Sequence, residues 1–151
     1  MAACRPLPLL SLLLLLLLLD DVAAARDEVS ARSYVDGPGP GHYYNTSKND
    51  TGVVKAALTG TYTFNNESND AFYFKASAID AAKRQVVKGI RYILEVEVTR
   101  TVCRKMEKPI DLASCDFQPN GVLYQTFFCH FEVWSIPWMK QMKTTDFFCK
   151  P

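Results

Sequence analysis

From Ile90 to Val98 the chain alternates, with Ile90, Tyr92, Leu94, Val96 and Val98 on one face and Arg91, Glu95, Glu97 and mostly polar neighbours on the other. That period of two predicts a half-buried antiparallel strand. Phe72 to Val87 reads as a second extended segment, and Gly89 is a natural turn point between the two. A second hairpin is expected from Leu123 to Ile136 and from Thr144 to Cys149, with Pro137-Trp138 near its tip. Upstream, Val54, Ala57, Leu58 and Phe64 recur at helical spacing. They predict one amphipathic helix from Val53 to about Asn65, with Thr51 as N-cap and with Gly60 and a Thr-rich second half as its weak points. The polar run Asn65-Asn66-Glu67-Ser68-Asn69-Asp70 closes it in a turn. One long helix ahead of four such strands argues for an α+β fold, the helix packed on one face of an antiparallel sheet of four to five strands.

The first residues follow a different pattern. Arg5 precedes a leucine stretch from Leu9 to Leu19 broken only by Ser11, and Val22-Ala23-Ala24-Ala25 follows. This order predicts a secretory signal peptide over residues 1–25. Eleven helical residues at about 1.5 Å each span only about half of a bilayer core, which argues against a membrane span. Residues 26–51 hold Gly37-Pro38-Gly39-Pro40-Gly41 and a polar stretch without apolar period, which reads as a flexible leader. Residues 52–151 then form one domain, and 151 residues in all leave little room for a second.

Charge and cysteine usage narrow the chemistry. The whole chain has 17 basic and 16 acidic residues, and loss of Arg5, Asp20 and Asp21 with the signal leaves 16 and 14. Such a balance gives no electrostatic reason to expect a nucleic-acid partner. Cys4 leaves with the signal, so Cys103, Cys115, Cys129 and Cys149 remain for an oxidising compartment, where an even number favours two disulfides. Three pairings exist. Cys103 and Cys115 enclose a short loop containing Pro109, and Cys129 and Cys149 lie equally far on either side of Met139, so the sequential pairing is expected. Each closed loop contributes roughly 3 kcal/mol in the chain-entropy picture. No close C-x-x-C pair suggests a metal, and no cofactor motif occurs.

Catalysis finds no support. The histidines are His42 in the leader and His130 in a strand, and the cysteine count leaves no free thiol for a Cys/His hydrolase. Glu95 and Glu97 fit a solvated strand face with Arg91 nearby better than a carboxylate pair for acid–base work. The unusual positions are the two hairpin tips. Gln85-Val86-Val87-Lys88-Gly89 sets two β-branched residues at a bend, and Ile136-Pro137-Trp138-Met139 sets a Trp on a rigid turn, the profile of an interface anchor. Either tip alone also fits a turn whose apolar residue folds back on the core.

Together the tips resemble the cystatin family. Gln85 to Gly89 matches its Q-x-V-x-G loop, Pro137-Trp138 matches the P-W pair of its second loop, and the four cysteines fall in its two-disulfide order. The resemblance covers about residue 37 to the C-terminus. Asn49-Asp50-Thr51-Gly52-Val53, Cys115-Asp116-Phe117-Gln118 and Glu132-Val133-Trp134 are further similar to one branch of the family. The resemblance implies the cystatin fold and tight, reversible, non-covalent inhibition of papain-like cysteine proteases, such as papain and cathepsins L, C and H. Both tips and an N-terminal glycine would enter the catalytic cleft. Counting back from the helix selects Gly41, whereas Gly37, after Tyr34-Val35-Asp36, fits the apolar-plus-glycine pattern.

Some cystatins also inhibit legumain through an Asn in a Ser/Thr-Asn-Asp segment, here matched by Ser68-Asn69-Asp70. The alternative role for Asn69 is an Asx-type turn. The branch carries additional cysteines that support a covalent dimer, one where Glu67 stands here, so a monomer without a disulfide-linked partner is expected. Asn45, Asn49 and Asn66 begin N-x-[ST] sequons and are glycan candidates in a chain expected to be secreted, with endolysosomal sorting as a second destination. A non-inhibitory carrier or binding module on the same fold is the alternative function.

Overall fold

The computed structural model describes residues 41–107 and 111–151. The expected signal peptide, the leader before Gly41, Gly37 and Pro109 lie outside the described residues. Five strands, β1 (Tyr44–Asn45), β2 (Phe72–Val86), β3 (Ile90–Arg104), β4 (Thr126–Ile136) and β5 (Gln141–Lys150), form one antiparallel sheet in sequence order. The helix α1 (Thr51–Glu67) crosses one face of it.

The helix starts at Asp50, not at the expected Thr51. The Asp50 carboxylate accepts hydrogen bonds from the amides of Gly52 at 2.8 Å and Val53 at 3.2 Å, satisfying two donors of the first turn, while Thr51 is already helical. Its buried stripe is also shifted from the expected one. Val53, Ala56, Ala57, Gly60, Thr61, Phe64 and Asn65 face the sheet, whereas Val54 and Leu58 are about half exposed. Close approach selects the small residues. A Cβ on Gly60 would stand 2.6 Å from the Phe131 ring, so the glycine that weakens the helix is what lets it lie against β4. Asn65 then ties the helix end to the sheet, its side chain donating to the Phe74 carbonyl at 2.7 Å and accepting from the Phe74 amide at 2.8 Å.

The alternation in β3 resolves as expected. Tyr92, Leu94, Val96 and Val98 are buried with Phe74, Phe131 and Val133 beneath α1. Phe64, Phe74 and Phe127 meet with ring centroids 5.3 to 5.5 Å apart. On the outer face, register brings together partners that the sequence left unassigned: Arg91 pairs with Glu132 at 2.8 Å, and a Glu95 carboxylate oxygen and His130 Nδ1 share a hydrogen bond at 2.6 Å. Cys129 is bonded to Cys149 directly across β4 and β5, and Cys103 to Cys115. The stretch from Gly41 to Asp50, read from sequence as flexible leader, is structured. Tyr44 and Asn45 pair with Arg84 and Lys83, and the Thr46 amide donates to the Ala82 carbonyl.

Candidate functional site

Sheet register places the two tips side by side. Val86 pairs with Ile90, Ile90 with Ser135, and Ile136 with Gln141, so the β2–β3 and β4–β5 turns leave the same end of the sheet. In the first turn the Val87 amide donates to the Gly89 carbonyl at 3.0 Å, and Lys88 and Gly89 take φ of 39° and 123°. Only glycine suits the second of these angles at low energy. Gly89 is itself buried: a Cβ there would lie 2.4 Å from the Ser135 carbonyl oxygen and 3.0 Å from Trp134 Nε1. The glycine thus seats the first turn against β4, while Val86 and Val87 remain 54% and 37% exposed.

The second tip is a single 3-10 turn, Pro137–Met139. Proline at its start fixes the backbone, and the Lys140 amide closes it onto the Pro137 carbonyl at 3.0 Å. Ile136 is buried beneath it, and Trp138 projects with 69% of its surface exposed. The neighbouring leader joins the same end. Gln85 Nε2 donates to the Gly41 carbonyl at 2.6 Å, and the Arg84 guanidinium lies 4.9 Å from the Tyr44 ring centre. Gly41, at φ 89°, has open space where a side chain would be. Gly41, Val86-Val87 and Pro137-Trp138 therefore succeed one another along one edge. Two features escaped sequence reasoning: the Gln85–Gly41 latch and the cleft behind the first tip, about 360 Å³, lined by Val87, Lys88, Arg91, Trp134 and Thr145. The first joins residues 44 positions apart.

Ser68-Asn69-Asp70 lies at the other end, where α1 passes into β2. Fifteen residues of β2 separate it from Val86, roughly 45 Å of extended strand. Its neighbours hold it firmly. Lys105 Nζ donates to the carbonyls of Asn65 and Ser68, each at 2.6 Å, and Asp70 accepts from the Phe72 amide at 2.9 Å and pairs with Arg100. Burial pushes the Lys105 ammonium below its ordinary pKa, with nearby Asp70 opposing the shift. Asn69 is exposed, and among the described residues its carboxamide makes no hydrogen bond. The Asx turn here belongs to Asp70, not to Asn69. Asn45, Asn49, Asn66 and Glu67 are all exposed. No helix among the described residues is long and apolar enough to cross a membrane.

Residues 41–138 match the cystatin domain family. Cystatin-F of Mus musculus is 40% identical over 144 residues, covering 94% of this chain and 99% of that protein. Cystatin-F of Homo sapiens is 44% identical over 110 residues, covering 73% and 75%. The crystal structure of dimeric human cystatin F resembles this one with a TM-score of 0.71 at 39% identity, over 80% of this chain and 96% of that one.

Proposed function

The chain belongs to the cystatin family, whose members are inhibitors of cysteine proteases and not enzymes, and we propose that it blocks papain-like enzymes, including papain and cathepsins L, C and H. The observation that carries this reading is the single edge on which Val86, Val87 and Trp138 stand exposed beside Gly41. A wedge of that shape fills a cleft without offering a bond to be cut. Both turns are braced before any partner arrives, so docking sacrifices little conformational entropy and buried apolar area converts efficiently into affinity. Gly89 sets the bend, Lys88 crowns it, Gln85 holds the leader, and Pro137 presents Trp138.

A second site, Ser68-Asn69-Asp70, is proposed for legumain. The free Asn69 carboxamide offers a donor and an acceptor to an asparagine-selecting pocket, and Lys105, Asp70 and Arg100 keep the segment in place. Its distance from the tips supports independent action on the two protease classes. The human relative crystallised as a dimer. This chain has Glu67 on the exposed helix end and no cysteine beyond its two disulfides after residue 25, which supports a monomer. Secretion, an endolysosomal pool and glycans on Asn45, Asn49 and Asn66 complete the proposal.

The experiment measures papain and legumain inhibition by the parent and by Asn69→Lys, before and after enzymatic deglycosylation. Selective loss of legumain inhibition in the variant supports two sites. A deglycosylated parent inert toward legumain, or a fully active variant, removes the second.

A further inference from the structure

The two hairpin ends share a charge pattern that the exposed apolar residues do not require. From Lys83 to Tyr92 and from Val133 to Thr145 the chain has six cations, Lys83, Arg84, Lys88, Arg91, Lys140 and Lys143, and no carboxylate, although it is balanced overall at 17 basic and 16 acidic residues. Only Arg91 among them forms an ion pair in the described residues, and its partner Glu132 lies just outside the segment. Arg84 and Lys143 lie over the rings of Tyr44 and Trp134, which hold a cation without cancelling its charge. The opposite end is mixed, with Glu67, Asp70, Glu107, Asp111 and Asp116 set among Lys75, Arg100, Arg104, Lys105 and Lys150, so the excess of cations is particular to the two tips.

Backbone conformation adds an independent observation. Among the described residues only Lys88 and Lys140 have positive φ without being glycine, at 39° and 51°, and each sits in one of the two tips. The left-handed region disfavours a long side chain, and Gly, Asn or Asp ordinarily occupies it. Two unrelated turns, one a three-residue loop and one a 3-10 turn, both place a lysine there. Both lysines are exposed and stay in the tips, Lys88 next to Val87 and Lys140 two residues after Trp138, despite the conformational cost.

We infer that the docking edge is a cationic wedge that selects, among papain-like proteases, those whose cleft rims are acidic. The inference rests on the inhibitory reading above and adds which enzymes are captured fastest. Exposed rim charges act on the encounter more than on the lifetime of the complex. Complementary fields raise association rates by about 10- to 1,000-fold at low salt, and a Debye length of about 8 Å at physiological ionic strength erodes that gain.

The test uses stopped-flow association and dissociation rates of the secreted chain with two papain-like proteases, one with an acidic and one with a basic cleft rim, at 50 and 300 mM NaCl. The variants are Lys88→Asn with Lys140→Asn, which removes both tip charges while tolerating the left-handed backbone, and a charge-matched control, Arg104→Gln with Lys150→Gln, at the far end of the sheet. For the acidic-rim enzyme the parent's association rate falls by about tenfold across the salt range. The tip variant loses about three- to tenfold at 50 mM and flattens the salt dependence, with dissociation unchanged and the thermal midpoint equal to or above the parent's, while the control behaves as the parent. Equal losses with both enzymes, an effect confined to dissociation, or an equal effect of the control overturns the inference. Salt-independent protease association together with retention on heparin beyond physiological salt also overturns it, assigning the cations to a polyanion instead. Absence of inhibition by the parent at every salt concentration removes the inhibitory reading itself, whereas inhibition at a salt-independent rate removes only the cationic selection.

Discussion

Truncating Trp138 to Ala separates docking from folding. The indole stands on the second tip with 69% of its surface exposed. A Trp side chain offers about 150–250 Å² for burial, so about 100–170 Å² remains for a protease to cover. At about 25 cal/mol per Å² this surface contributes about 2.5–4 kcal/mol to docking, a loss of about 70- to 900-fold in inhibition constant when it is removed. Folding has much less at stake. Denatured chains expose about 10–40% less surface than an extended reference, so the indole is about as exposed unfolded as folded. Stability should therefore change by less than about 0.5 kcal/mol, or about 3 °C in thermal midpoint. Titrating papain against a fluorogenic peptide gives the first quantity, and calorimetry gives the second. An unchanged inhibition constant, or a midpoint that falls by about 8 °C or more alongside inhibition, would show that the tip does not act as an anchor.

Other residues should respond differently. Gly89→Ala drives a Cβ to 2.4 Å from the Ser135 carbonyl at a φ of 123°, so both stability, by about 1–3 kcal/mol, and inhibition should fall; a normal midpoint by calorimetry would refute the close approach. Replacing Cys103 and Cys115 together by Ala opens a loop of separation 12 far from the tips and should lower urea stability by about 3 kcal/mol while sparing papain inhibition; lost inhibition in the folded variant would contradict that separation. Burial, reinforced by Asp50, raises the Tyr92 phenol above its ordinary 10.0, so the folded state holds this proton longer than the unfolded chain. The stabilisation is complete below about pH 10 and is lost as pH climbs through the folded value, so parent stability should fall more steeply above pH 10 than that of Tyr92→Phe. Equal slopes in alkaline unfolding would remove the effect.

The strands and tips were legible because their signals are local. Ile90 to Val98 carries its period in adjacent residues, and valines or a tryptophan at a bend are conspicuous where polar turn formers are usual. The helix was legible in existence but not in orientation. Val54 and Leu58 look like core residues, yet Ala56, Gly60 and Thr61 are buried because Phe131, some seventy residues away, demands a close crossing. The same limit explains the N-cap, where Asp50 and Thr51 are both plausible until the first-turn amides are seen to converge on the carboxylate. Gln85 was visible as a motif residue, but its hold on Gly41 depends on β1 pairing with β2. The His130–Glu95 pair likewise exists only through register.

The central claim is tested most directly by titrating papain with the folded, disulfide-bonded chain and recovering the inhibitor for mass spectrometry. The account predicts stoichiometric one-to-one inhibition, release of active enzyme on dilution or displacement, and an inhibitor that returns uncleaved and without a covalent adduct. A correctly folded chain that leaves papain active at any ratio, or that is recovered cut between Gln85 and Gly89, would contradict it.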